Sequence, residues 1–344
     1  MLGGQGAATA PWHRRIGYHA TASGPARKSA LIVDPVVYFF GFGLIAGLLR
    51  ADLRLPGPIY DALSFLLLLS IGLKGGVELA RHGSIDLLLQ SVSVIAMGVA
   101  LPLLAFPLLL RLGRLRREDA ASIAAHYGSV SVGTFAVALS WLASRDIPHE
   151  AYLALFVVLL EVPAIVVGIL LARGHRTGLD WRELGRELFL GRSVLLLAGG
   201  LVIGAAAGAE ALAPLEPVFV DAFKGVLALF LLEMGLIAAA RLGPLRQHGL
   251  FLVAFAVFWP LFAGAIGTLL GLGLGLSPGG AAILGVLAAS ASYIAAPAAM
   301  RIAVPAANPS LSLAASLGIT FPFNMLFGIP AFVALAHFLG GASP

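Results

Sequence analysis

The chain alternates long apolar stretches with short polar connections. Ten apolar stretches follow one another after residue 30, and most approach the roughly 20 residues that a helix needs to cross a bilayer. They cover residues 33–50, 58–80, 85–112, 118–144, 149–173, 192–210, 217–240, 247–275, 278–303 and 309–340. This pattern predicts an all-α membrane protein with ten transmembrane helices.

Two regions depart from the apolar pattern. Residues 1–30 are small and polar and lack the apolar run of a signal peptide, so they are predicted to be a disordered N-terminal tail or an over-extended start. Residues 174–191 carry Trp181, Leu184 and Leu188 at helical spacing, with arginines and glutamates largely off that stripe. This segment is predicted to be a cytoplasmic amphipathic linker helix on the membrane surface.

Composition narrows the class of protein. Hydrophobic residues make up 59% of the chain and charged residues 11%, whereas a soluble domain has about 25% charged residues. The absence of cysteine excludes disulfides and thiolate chemistry. No histidine pair has metal-binding spacing and no phosphate-binding loop is present, so an enzyme and an ATP-driven pump are both disfavoured. The 42 glycines suit close helix packing in lipid, for example Gly43, Gly47, Gly200, Gly204 and Gly208.

Positive charge predicts the orientation in the membrane. The net charge of +5 is interpreted as a topology signal and not as a nucleic-acid footprint. If the N-terminus faces outside, the inner connections hold 14 arginines and the outer ones hold only Arg81 and Arg145. Lysine and arginine favour the cytoplasmic side. A bacterial inner-membrane protein with both termini outside is therefore expected.

The chain also matches itself at a nearly constant offset. Gly72 falls over Gly235 at a shift of 163, Ser129 over Ser290 at 161, and Pro163 over Pro322 at 159. The two units are residues 31–173 and 192–344, and each holds five predicted helices. Because five is odd, the second unit inserts upside down relative to the first. Inverted repeats of this kind are typical of secondary transporters, whose substrate site lies between the repeats near the midplane.

The fourth and ninth apolar segments are interrupted at matching positions. The interruptions are rich in small and hydroxyl residues: "HYGSVSVGTF" at 126–135 and "ASASYIAAP" at 289–297. Non-helical backbone at membrane depth survives only where it lines a cavity or is buried in protein. Ser129, Ser131, Thr134, Ser290 and Ser292, together with two half-helix N-termini, are candidates for binding an anion or Na⁺. The alternative is that these small residues only allow close packing.

Several charged residues fall inside the apolar segments. Such residues face a partner or a cavity and mark candidate functional sites. Lys74 and Glu78 are four residues apart and can pair on one helix face. Glu161, just before Pro163, is a candidate ligand for Na⁺ or H⁺, and Lys74 is a second candidate for ion coupling.

These segments resemble the SbtA-type sodium-dependent bicarbonate transporter family. The segments that carry the resemblance are "IGLKGG" (71–76), "AHYGSVSVGT" (125–134), "HEAYLALFVVLLEVPAIV" (149–166) and the run from "SYIAAP" to "MRIAVPAANPS" (292–310). The resemblance covers about residues 35–340. It implies core and gate domains, an elevator-type motion, a homotrimer, a substrate site between helices four and nine, and possible regulation by a PII-like protein.

The sequence departs from the family pattern at the implied site. The family's acidic residue after the helix-nine serines is replaced by Tyr293, and a helix-four serine by Gly133. Ser131, Ser292 and Glu161 are the remaining candidates to hold Na⁺ as a coupling ion. No other cofactor is expected. The sequence thus predicts a Na⁺-coupled symport of a small inorganic anion, with bicarbonate favoured. A cation/proton antiporter and a non-transporting membrane sensor or scaffold remain alternatives.

Overall fold

The computed structural model describes residues 34–81, 85–174, 181–245 and 249–341, and every regular element among them is helical. The predicted tail, residues 1–30, lies outside these ranges. In the first half, the helices are α1 (Pro35–Leu48), α2 (Gly57–Leu79), α3 (Ile85–Pro107), α4 (Arg117–Gly128), α5 (Val132–Ala143), α6 (Ala154–Arg173) and α7 (Trp181–Leu190).

The second half continues with three long helices followed by shorter and more irregular ones. They are α8 (Arg192–Leu212), α9 (Phe223–Leu245), α10 (Gly249–Gly273), α11 (Pro278–Ala289), α12 (Ala295–Ala303), α13 (Pro309–Leu313), α14 (Phe321–Phe323) and α15 (Ile329–Gly340). Between α13 and α15, the stretches Ala314–Thr320 and Asn324–Gly328 have π-helical geometry. Such widened turns occur often at functional sites.

Eight helical segments of the described chain are long and apolar enough to span a membrane. Two of the ten predicted segments give shorter apolar helices, α1 with 14 residues and α11 with 12. At 1.5 Å per residue, α1 is only about 21 Å long, less than the ~30 Å hydrocarbon core. The reasons are local, because Asp34 caps the start of α1 and α11 ends at an interruption. The chain is therefore a multi-pass membrane protein.

Glycines bring two helix pairs close together, α1 against α9 and α2 against α8. A methyl group added at Gly72 would lie 2.9 Å from Gly200 Cα, and one at Gly235 would lie 2.6 Å from the Leu44 nitrogen. Both distances are shorter than a normal van der Waals contact, so only glycine fits. Gly208 differs from the prediction, since it has open space beside it and a φ of +72°, and it bends α8.

The remaining long helices surround two nearly buried ones. α3 packs on α4 and α6, and in the second half α10 and α15 pack on α11. The segment formed by α4 and α5 is the most buried of the eight candidate spans. Interrupted backbone therefore lies inside the protein, as hydrocarbon surroundings require.

The linker helix α7 forms where its apolar spacing predicts it. Leu184 and Leu188 are buried against Ile165 and Ile169 of α6 and against Met300 of α12. These two leucines of the apolar stripe thus pack on the protein, and a position of α7 at the membrane surface stays a prediction. Phe189 and Leu190, at the end of α7, are exposed.

Candidate functional site

Two helices are interrupted in the same way. α4 ends at Gly128 and the chain becomes extended at Ser129, with φ −87° and ψ 172°. α11 ends at Ala289 and the chain becomes extended at Ser290, with φ −77° and ψ 166°. The first break spans residues 129–131 and the second spans 290–294. The sequence offset of 161 therefore corresponds to equivalent backbone geometry.

The two breaks touch each other through hydrogen bonds. The Ser131 amide donates to Ser290 Oγ at 3.0 Å, and the Ser292 amide donates to the His126 carbonyl at 2.8 Å. The residues named from the sequence in helices four and nine are thus brought together in space. A new helix begins on each side of this contact, α5 after Ser131 and α12 after Ile294.

Serine hydroxyls stabilise both helix starts. Ser131 Oγ accepts hydrogen bonds from the Thr134 amide at 3.1 Å and from Thr134 Oγ1 at 2.9 Å. Ser292 Oγ accepts one from the Ala296 amide at 3.1 Å. A hydroxyl has one donor and two acceptor positions. Because Ser131 and Ser292 act here as acceptors, each retains an O–H group that can donate to a ligand.

The other two serines use their hydroxyl hydrogens within the protein. Ser129 Oγ donates to the Glu161 carbonyl at 3.2 Å, and Ser290 Oγ donates to the Leu287 carbonyl at 2.8 Å. These bonds satisfy backbone carbonyls near the breaks. The four serines therefore divide into two that hold the backbone and two, Ser131 and Ser292, that are better placed as ligands.

Tyr293 covers the start of α5. A Cβ atom at Gly133 would collide with Tyr293 Oη and would lie 3.2 Å from a Phe230 ring carbon. The Tyr293 ring packs edge-on against Phe321, with centroids 5.5 Å apart. Its hydroxyl oxygen is buried without a hydrogen-bond partner in the described part of the chain. Glycine at 133 is therefore what allows the phenol to occupy this position.

A polar network beside the breaks involves residues that sequence reasoning missed. Thr320 Oγ1 donates its single hydrogen to the Ala256 carbonyl at 2.6 Å. In its contact with Tyr127 Oη at 2.7 Å, Thr320 Oγ1 is therefore the acceptor and Tyr127 is the donor. Asn324 Nδ2 donates to the Ala289 carbonyl at 2.8 Å, satisfying the last residue of α11. An asparagine inside the apolar run 309–340 was the available signal for this role.

Glu161 faces a cavity of its own. Its side chain is 2% exposed, and its Oε2 atom has no hydrogen-bond partner among the described residues. The cavity measures about 130 Å³ and is lined by Ser193, Arg192 and the α12 residues Ala295 and Ala298. We refer to it as the Glu161 cavity. The carboxyl group does not hydrogen-bond to Ser131 or Ser292, and only its backbone carbonyl contacts the first break.

Lys74 lies in a different cavity, of about 350 Å³, which we call the Lys74 cavity. Phe135 and Ser140 of α5, His149, and Lys224 of α9 also line it. No residue lines both this cavity and the Glu161 cavity. The two residues proposed together for ion coupling are thus separated. The predicted Lys74–Glu78 pair is not formed within 4 Å, and Glu78 instead lies 3.7 Å from Arg81.

The atoms that could bind a metal ion near the breaks are oxygens. Within the described ranges, no group of three or more His, Asp or Glu residues could hold a metal ion. Buried oxygens without partners there include Tyr293 Oη, Ser316 Oγ, Asn324 Oδ1 and Glu161 Oε2. Such hydroxyl, amide and carboxylate oxygens are ligand types for hard cations and do not suit soft transition metals.

Comparison with known proteins decides the family. The model of the Na⁺-dependent bicarbonate transporter superfamily matches residues 35–337, which include both breaks and both cavities. The chain belongs to this superfamily. No curated protein matches the chain.

Proposed function

We propose that the protein is a secondary active transporter of a small inorganic anion, with bicarbonate as the favoured substrate. Superfamily membership supports this function at the level of the class. The observation that carries the proposal is the direct contact between the two interrupted helices, where the Ser131 amide at the start of α5 donates to Ser290 Oγ at the end of α11. Two helix N-termini that begin side by side present partial positive charge and unused N–H groups without any arginine.

The anion binds between the starts of α5 and α12. Ser131 and Ser292 donate their hydroxyl hydrogens to it, and Thr134 and Ser290 hold these donors in place. Gly133 leaves room for the Tyr293 hydroxyl beside the start of α5, and Ser129 anchors the break to α6. Tyr293 lies over the same helix start and forms one wall of the site. These assignments agree with the anion preference of helix N-termini.

The architecture that we propose is ten helices in two inverted repeats, residues 31–173 and 192–344, joined by the linker 174–191. Helix contacts support it. In the proposed repeat α1 corresponds to α8 and α2 to α9, so the contact between α1 and α9 has its counterpart in the contact between α8 and α2. In the same way, the contact between α3 and α4 corresponds to the contact between α10 and α11. The gate domain consists of α1, α2, α8 and α9. The remaining long helices form the core domain, which moves in an elevator-like manner.

The resemblance further supports a homotrimer in the bacterial inner membrane and a PII-like regulator on the cytoplasmic face. The arginine distribution supports an orientation with both termini outside.

The coupling ion is Na⁺ or H⁺. The superfamily description names Na⁺. Ser292 Oγ accepts one hydrogen bond and keeps a lone pair for a cation, whereas Thr134 occupies both acceptor positions of Ser131 Oγ. Glu161, a buried carboxyl with an unpartnered oxygen facing a cavity, supports a second candidate function, cation/proton exchange. Tyr293 offers a neutral hydroxyl, which binds Na⁺ more weakly than a carboxylate does.

The test is uptake of isotope-labelled bicarbonate into proteoliposomes, with and without an inward Na⁺ gradient. Ser131→Ala and Ser292→Ala should each raise the half-saturation concentration about tenfold or more, because a hydrogen bond to a charged group contributes about 1.5–3 kcal/mol. Ser93→Ala is the matched control, since Ser93 Oγ bonds only within α3, to the Leu89 carbonyl. Unchanged affinity in both serine variants would place the site elsewhere, and no bicarbonate flux in the wild type would reject the substrate.

The coupling assignment has its own variants. If Glu161 carries the coupling ion, Glu161→Gln abolishes the dependence of uptake on the gradient and leaves equilibrium exchange of the anion intact. Tyr293→Asp should strengthen Na⁺ dependence, because it adds a carboxylate at the breaks. If neither variant changes ion dependence, the cation site lies outside these residues and only the anion assignment survives.

A further inference from the structure

The Lys74 cavity extends from the protein surface towards the paired breaks. Its exposed rim includes Ser144 and Asp221, and its inner end is formed by the buried residues Ser70 and Phe135. Phe135 follows Ser131 by four residues on α5, about one helical turn. The volume of about 350 Å³ corresponds to roughly ten water molecules at ~30 Å³ each. A small hydrated ion therefore fits inside.

The other charged groups at or beside this cavity have partners or face solvent. Lys224 Nζ lies 3.5 Å from Asp34 Oδ2, which also accepts a hydrogen bond from Ser140 Oγ at 3.2 Å. Glu150, next to His149, accepts hydrogen bonds from the Ser277 amide and hydroxyl at 2.7 and 3.0 Å. Asp221 lies at the exposed rim. Each of these groups is therefore ion-paired, hydrogen-bonded or exposed.

Lys74 is the exception. It is partly buried, and it has no hydrogen bond or ion pair with any residue that the structure describes. Glu78, one turn further along α2, lies beside Arg81. Glu216 lines a small adjoining space together with Lys74, and its buried Oε1 atom has no hydrogen-bond partner among the described residues, but no salt bridge joins the two side chains. Removing an ammonium group from water is unfavourable unless a partner compensates it.

We propose that Lys74 holds a second anion-binding site, separate from the paired breaks, for a small monovalent oxyanion such as bicarbonate. This site lies on the path between the surface and the breaks, and it rests on the transport function proposed above. It raises the local concentration of anion in the cavity, whose lining residue Phe135 lies one helical turn from Ser131. The ammonium group attracts the anion electrostatically, and the neighbouring Ser70 and His149 offer hydrogen bonds.

The first test is labelled bicarbonate uptake as a function of concentration. Lys74→Met should raise the half-saturation concentration about tenfold, the loss expected for one charge-assisted hydrogen bond, and should change the maximal rate less than twofold. Lys74→Arg should restore most of the affinity, because it keeps the charge. Arg111→Gln, which removes an exposed charge outside the cavity, is the control and should match the wild type.

A second measurement separates this site from the transport function. Purified Ser292→Ala protein in detergent is titrated with sodium bicarbonate and, separately, with sodium nitrate, using sodium gluconate to hold ionic strength constant. Its thermal midpoint should rise saturably, and adding Lys74→Met should remove that rise, whereas adding Glu216→Gln should not.

The outcomes distinguish the two proposals. If the wild type transports bicarbonate and Lys74→Met has wild-type affinity, or loses only maximal rate, the Lys74 site is wrong and the transport function stands. If the wild type shows no bicarbonate flux, the transport function fails, and the thermal titration alone decides the site. Absence of a Lys74-dependent rise in that titration overturns the site in either case.

Discussion

The two helix breaks share one plan but differ in the residues next to the serine cap. After Ser131 the chain enters helix at once, with Gly133 in the first turn of α5. After Ser292 two further residues, Tyr293 and Ile294, stay outside the helix before α12 begins. The second break is therefore two residues longer, and the extra side chain of Tyr293 reaches across to cover the first break. The two breaks therefore share their backbone geometry but differ in the side chains that surround it.

The cavities beside the two half-helices differ as well. α5 runs along the larger Lys74 cavity, whereas α12 lines the smaller Glu161 cavity. The first holds Lys74, which has no ion pair among the described residues, and the second holds Glu161, whose Oε2 atom has no hydrogen-bond partner there.

The largest expected effect comes from filling the space between the breaks. Gly133→Val should destabilise the protein by about 3 kcal/mol and abolish uptake, because its side chain must displace the tightly packed Tyr293 and Phe230 rings. Thermal unfolding in detergent and labelled bicarbonate uptake are the two measurements.

A rescue experiment checks that the Tyr293 hydroxyl is the obstacle. Gly133→Ala alone should lose stability and uptake, and Gly133→Ala with Tyr293→Phe should recover much of both, because phenylalanine lacks the colliding oxygen. If Gly133→Ala behaves like the wild type, the close approach of Tyr293 to α5 is not a feature of the protein in its membrane.

The second comparison is between the two caps. Ser131→Ala should cost about 2 kcal/mol, because it leaves both the amide and the hydroxyl of Thr134 without an acceptor. Ser292→Ala should cost about 1 kcal/mol, because only the Ala296 amide loses its acceptor. Equal losses of stability, measured by thermal unfolding, would show that the two breaks are held in the same way.

Much of this organisation could be predicted from the sequence. The apolar stretches and their offset identified both interrupted helices, and the serine positions 129, 131, 290 and 292 are indeed adjacent in space. This succeeded because hydrophobic length and helix interruption depend on local sequence. The direction in which each serine hydroxyl donates could not be predicted, since it depends on which carbonyl lies nearby in the folded chain.

Long-range partners were out of reach for the same reason. Lys74 and Glu78 are suitably spaced for pairing, yet Arg81 and not Lys74 contacts Glu78. The apolar spacing of α7 predicted the burial of Leu184 and Leu188 but not which residues bury them, because periodicity does not identify the packing partner. Asn324, 35 residues from Ala289, could be linked to it only by the fold.

A third effect concerns the side chains that donate hydrogen bonds to backbone carbonyls beside each break. Asn324→Leu should destabilise by about 1–2 kcal/mol, because the buried Ala289 carbonyl loses its donor. Ser129→Ala should cost about 0.5–1 kcal/mol, because its bond to the Glu161 carbonyl is longer, at 3.2 Å. A larger loss in Ser129→Ala than in Asn324→Leu would show that the longer hydrogen bond, to the Glu161 carbonyl, is the more important of the two.

The smallest expected effect is the contribution of His149 to the pH dependence of stability. His149, in the Lys74 cavity, lies between membrane-spanning segments. Burial lowers the pKa of His149 and the charge of Lys74 lowers it further, against smaller opposing contributions from the Ile147 carbonyl and Glu150.

Because the folded-state pKa of His149 is depressed, the unfolded chain binds the proton more readily. The stability contribution is therefore complete above the unfolded pKa of about 6.5 and is lost as the pH falls from there towards the folded pKa. His149→Gln should flatten the decline of thermal stability below about pH 6.5, and Lys74→Met should flatten it partly, since it removes one of the two causes. An unchanged pH profile in His149→Gln would mean that this histidine meets water freely. In that case Lys74 would also be better hydrated than its position in the cavity indicates.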